Sequence, residues 1–102
     1  MNIVEDYNGR QIEYIDKVEF NTPTSQFIVL KIKNDKHLTL RTFNENESST
    51  KLWSKAYTLE SKKYILVEKN QDYMTALSNA RLYTNIISNK IRKKISDKFK
   101  GM

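Results

Sequence analysis

"KLWSKAYTLESKKYILVEK", residues 51–69, decides how the rest of the chain is arranged. Its first half places Leu52, Trp53, Ala56, Tyr57 and Glu60 at helical spacing, and the polar run "NENESST" before it ends in N-cap residues. This predicts a short amphipathic helix over about 49–60. The second half, "KYILVEK", reads most simply as a buried strand over about 63–68. Continuation of the helix is the competing reading, because period alone does not classify a short apolar run. Trp53, Tyr57 and Tyr64 read as core or interface residues, since aromatic side chains bury so much area.

Working toward the N-terminus, "QFIVLKIKNDKHLTLRTF" (26–43) reads as a hairpin. Ile28, Leu30 and Ile32 alternate on one strand, and Leu38 and Leu40 on the other. A three-residue loop, Asn34-Asp35-Lys36, puts all five on one face, pairing Ile32 with Leu38 and Leu30 with Leu40. Before it, "IVEDYNGRQIEY" (3–14) carries Asn8-Gly9 between extended stretches. A two-residue type I′ turn there pairs Tyr7 with Arg10 and Ile3 with Tyr14. The second strand runs on through Val18 and Phe20, which share parity with Ile12 and Tyr14. Pro23 ends it.

Toward the C-terminus, Asn70 or Asp72 can cap a long helix. At 100° per residue, Tyr73, Leu77, Ala80, Ile87, Ile91 and Ile95 form one stripe, with Tyr83 and Phe99 on its edges. Leu82 and Ile86 fall on the opposite side. A helix that is apolar on two sides is either sandwiched or shared with a second copy, so these two residues are the expected homodimer interface. The resulting order is β-β-β-β-α-β-α. It describes one α+β domain over 1–102, a mostly antiparallel sheet packed by one short helix and one long C-terminal helix. That order is neither the helix-first order of a winged helix nor the βαββαβ order of RNA-recognition modules.

A chain of 102 residues can bury a core without staples. It has no cysteine and one histidine, His37, which leaves no thiolate chemistry and no paired imidazoles. Its two glycines stand at opposite ends and make no phosphate loop. No catalytic residue, cofactor or metal site is expected, and the chain does not read as an enzyme. The longest apolar runs, "FIVL" and "ILV", are too short to cross a bilayer, and the N-terminus lacks a signal-peptide core. No membrane insertion and a cytoplasmic location are the expectation. Abundant Lys, Asn and Ile point to AT-rich coding, as in a phage or plasmid of a low-GC bacterium.

The distribution of charge says more. The formal net charge is +6, and residues 81–102 carry seven basic side chains against Asp97 alone. Such asymmetry points to a polyanionic partner. Two surfaces are candidates for nucleic acid. One is the second face of the 26–43 hairpin, where Phe27, Lys31, Lys33, His37, Arg41 and Phe43 interleave rings with cations, as a single-strand platform requires. The other is the tail, with Lys90, Arg92, Lys93, Lys94, Lys98 and Lys100, suited to gripping phosphates rather than reading bases. The expected function is a small regulatory or accessory nucleic-acid-binding protein, with RNA or single-stranded DNA favoured over duplex DNA. The alternative is an interaction module, such as a phage or plasmid inhibitor or adaptor, docking on an acidic host protein.

Overall fold

The computed structural model describes residues 2–34, 36–43 and 50–100, with residues 50, 53 and 92–100 described by their backbone alone. The strands are β1 (Ile3–Glu5), β2 (Gln11–Asn21), β3 (Gln26–Ile32), β4 (His37–Thr42), β5 (Ala56–Leu59) and β6 (Lys62–Asn70). The helices are the single turn α1 (Thr50–Trp53) and the long α2 (Tyr73–Lys100). All strand pairs are antiparallel, and they close into a barrel in the order β1-β2-β3-β4-β6-β5. Closure is made by β1 against β5, where Glu5 pairs with Thr58. The fold is thus α+β as expected, but with six strands in a closed barrel rather than five in an open sheet.

The extra strand comes from 51–69. Among the described residues of the expected helix only 50–53 are helical, and the Lys55 N–H closes that turn onto the Leu52 carbonyl. From Ala56 the chain is extended, and Tyr57 and Leu59 alternate into the core at 2% exposure each. Over these four residues Tyr57 and Leu59 fit period 2, with Tyr and Thr favouring strand. Glu60 and Ser61 then turn the chain with φ of 51° and 64°, so that Leu59 pairs with Lys62. Positive φ at both central positions is the type I′ geometry, which normally announces itself as Asn-Gly. Here it is built without either residue. The strand read over 63–68 is present as β6.

The first hairpin turns differently from the expected two-residue loop. Ile3 pairs with Glu13 and Glu5 with Gln11, leaving Tyr7-Asn8-Gly9 as a three-residue loop. The Gly9 N–H donates to the Asp6 carbonyl, and Gly9 alone has positive φ, at 79°. Asp6 Oδ1 accepts from the N–H groups of both Asn8 and Arg10 at 2.9 Å, which favours this turn over the tighter one. The 26–43 hairpin keeps its expected inner face, but its register differs by two residues: Leu30 pairs with Leu38 and Ile28 with Leu40. Asp35 of its loop and the connector 44–49 lie outside the described residues.

A bulge at Ile15 corrects the parity of β2. Tyr14 pairs with Ile32, whereas Asp16 pairs with Lys31. Ile12 and Tyr14 therefore face the barrel interior, while Val18 and Phe20 face outward beside Val29 and Phe27. Lys17 takes an inward position, and its ammonium lies 3.2 Å from the carboxylates of Glu19 and Glu60. Hydrogen bonds to Glu19 first, then to Glu60, push the Lys17 pKa up.

Two cores result. The barrel is filled by Val4, Tyr14, Ile28, Leu30, Ile32, Leu38, Leu40, Tyr57, Leu59 and Tyr64. Six strands enclose a space that side chains alone can fill. Outside it, Ala76 and Ala80 of α2 lie on Val29, all three fully buried, with Phe20, Tyr73 and Leu77 around them. The run "FIVL" is apolar without alternation because β3 is covered on both faces. Asp72 caps α2, its Oδ2 accepting from the N–H and the hydroxyl of Thr75, at 3.2 and 2.5 Å. Those bonds, the hydroxyl's first, hold the Asp72 carboxyl below its usual value. Among the described residues, no helix is long and apolar enough to cross a membrane.

Candidate nucleic-acid interface

The hairpin face expected to be open is the floor beneath α2. Phe27 is 3% exposed, and its ring centroid stands 6.0 Å from that of Tyr83. His37 packs on the ring of Tyr73 at 5.1 Å. The Lys31 ammonium sits 5.2 Å from the centroid of that same ring, a cation–π contact. Tyr73 in turn donates its hydroxyl to Asp16 Oδ2 at 2.9 Å. Thr39, between these residues on β4, is fully buried. Of the rings expected to stack bases, Phe27 is therefore spent on packing α2 against the sheet, together with His37.

The rest of the hairpin set is dispersed. Lys33 lies on the turn after β3 and pairs with Glu13 at 3.8 Å. Arg41 is half-buried, and its Nη1 donates to the Thr42 carbonyl at 3.4 Å. Phe43 follows β4, half-buried, with its N–H bonded to the Lys63 carbonyl. His37 Nδ1 and Thr39 Oγ1 are buried without a hydrogen-bond partner. Both lie on the floor under α2.

The tail residues share one element. Lys90 is exposed on α2, and Arg92, Lys93, Lys94, Lys98 and Lys100 follow on the same continuous helix, their side chains outside the described set. At 1.5 Å per residue, the 28 residues of α2 span about 42 Å. Ile91 is half-buried. Leu82 and Ile86 are 54% and 43% exposed, so they are not sandwiched within one chain.

Sequence reasoning did not anticipate the polar clamp on the same helix. Asn79 Nδ2 and the Tyr83 hydroxyl each donate to the Glu68 carboxylate, both at 3.1 Å. Burial, and then that bond, raise the Tyr83 pKa. Beside the clamp, between α2 and the outer face of β3, β4 and β6, lies an open cleft of about 240 Å³. Phe27, Arg41, Val67, Tyr83, Ile86 and Ile87 line it. No sequence signal marks it, because it is shared by four elements. Among the described residues, no group of three potential metal ligands comes together.

Comparison with known protein families, with curated proteins and with solved structures finds no match to this chain.

Proposed function

We propose that this chain is a small, non-enzymatic nucleic-acid-binding protein that grips phosphates with the basic end of α2. One observation supports the reading above all. The chain's charge excess of +6 equals the charge carried by residues 81–102, and residues 81–100 of that stretch belong to one helix. A helix carrying lysines suits backbone contact, in which each neutralised phosphate releases counterions. The preference for single strands rested on an open ring-bearing face. With Phe27 beneath α2 and His37 against Tyr73, that motive falls away. The reading becomes binding with little discrimination between RNA, single-stranded DNA and duplex DNA.

The test is fluorescence anisotropy with labelled mixed-sequence 20-mers of all three kinds, at 50 and 200 mM salt. If five phosphates are neutralised on a duplex, affinity falls about 500-fold over that range. Comparable affinities for the three ligands, with this steep dependence, are the expected result. Absence of binding at 50 mM salt overturns the proposal.

A further inference from the structure

The cleft beside Tyr83 is a second surface, which adjoins the phosphate grip at Lys90. Its described walls are almost wholly apolar, and Arg41 supplies the cationic group among the described lining residues. Ile86 lines it while remaining 43% exposed, and Leu82, one turn earlier, is 54% exposed. Size sorts the possible occupants. Small-molecule sites usually run from about 300 to 1,000 Å³ and enclose most of the ligand. An open cleft of 240 Å³ is below that range and fits one large apolar side chain projecting from a partner.

Charge sorts them further. Arg41 stands in the wall, and Lys90 is exposed one turn beyond Ile86. The carboxylate of Glu68, next in sequence to Val67, is held by Asn79 and Tyr83 and is outnumbered by these cations. An apolar cleft with a basic flank complements an apolar anchor with acidic neighbours. The chain's own connector 44–49, "NENESS", is acidic but has no apolar side chain to insert. A second copy brings another +6 and the same basic flank.

We infer that this cleft docks an acidic peptide segment of a partner protein, seating one leucine or aromatic side chain between Phe27, Tyr83 and Ile86 while its carboxylates face Arg41 and Lys90. Recognition of this kind rests on one buried anchor, as at an interface hot spot.

Selection from a random 12-residue peptide library on the nuclease-treated full-length chain tests the inference. The expected enriched peptides carry a leucine or aromatic residue flanked by two or more Asp or Glu. Their affinity should fall at least tenfold with Ile86→Ser and about fivefold with Lys90→Glu. Both positions are exposed, and circular dichroism verifies that each variant is folded. Three outcomes overturn the inference: no enrichment over the Ile86→Ser chain, enrichment of peptides without acidic residues, or a wild-type dimer in sedimentation that Ile86→Ser converts to monomer. The last outcome assigns the cleft to a second copy. Ile86→Ser changes no charge, so oligonucleotide binding should survive it, whereas Lys90→Glu should weaken both ligands; loss of peptide binding alone with Ile86→Ser therefore separates the cleft from the phosphate grip.

Discussion

Tyr73 shows how much of the α2 contact hangs on one residue. Its hydroxyl donates to Asp16, its ring meets His37, and the Lys31 ammonium lies over it. Burial, followed by the bond to Asp16, pushes its pKa up to about 12. Raising the folded value stabilises the neutral phenol, so its contribution is complete below the unfolded value near 10. It is lost as pH rises from there through about 12. Tyr73→Phe should therefore lower stability at pH 7 and narrow its gap to wild type at pH 12, read as urea midpoints. A gap that is constant with pH refutes the linkage. Asp72, one residue earlier, acts with the opposite sign. Its lowered pKa means that its cap is complete above the unfolded value and is lost as pH falls through the folded one. Asp72→Ala should lower the melting temperature at pH 7, and Asp72→Asn should restore part of the loss, because an amide oxygen still accepts from the Thr75 N–H.

At the scale of elements, the turn between β5 and β6 stores strain that a substitution can release. Ser61 holds φ at 64°, a region that costs an L-residue about 1–2 kcal/mol and glycine little. Ser61→Gly should stabilise the chain by about 1 kcal/mol, less the entropy glycine adds to the unfolded state. Leaving Glu60 in place keeps its ion pair with Lys17. An unchanged or lower denaturation midpoint counts against this reading. The same turn explains why β5 was not legible in the sequence. A strand of four residues offers too few positions to separate period 2 from period 3.6, and Glu60-Ser61 gives no turn signal. The 26–43 hairpin and α2 were legible because five alternating residues and seven turns of helical spacing leave no such ambiguity. What was not legible was strand register. Hairpin pairing follows loop geometry, and Asp6 accepting two N–H groups, or one bulge at Ile15, shifts every partner beyond it. The contact of α2 with β3 depends on small residues. Ala80→Leu should overpack the fully buried site on Val29 and cost about 1–3 kcal/mol, visible in the denaturation midpoint.

For the whole molecule, closing the barrel and covering its outer face are linked, and both escaped a reading made strand by strand. Once β5 joins β1, the interior is filled by side chains from all six strands, and the apolar side chains left outside on β2 and β3 need a cover of their own. α2 supplies that cover with its first half. The basic-aromatic alternation of β3 and β4 is the outer row of that contact, which is why it resembled a binding face when only the hairpin was considered. Charge, unlike contact, was fully legible, since it needs no register. Acidic residues outnumber basic ones in the first half of the chain, and the excess of cations lies at the far end of the last helix. The triple substitution Lys93→Glu, Lys94→Glu, Lys98→Glu takes the formal charge from +6 to zero. Circular dichroism verifies that the triple variant is folded. If the three lysines each neutralise one phosphate, the slope of log affinity against log salt on duplex DNA should shrink by about 2.7. Ile86→Ser, which alters the cleft but no charge, should leave that slope unchanged. A triple variant that keeps the wild-type slope would place the phosphate grip elsewhere on the molecule, whereas a slope altered by Ile86→Ser would merge the two surfaces into one.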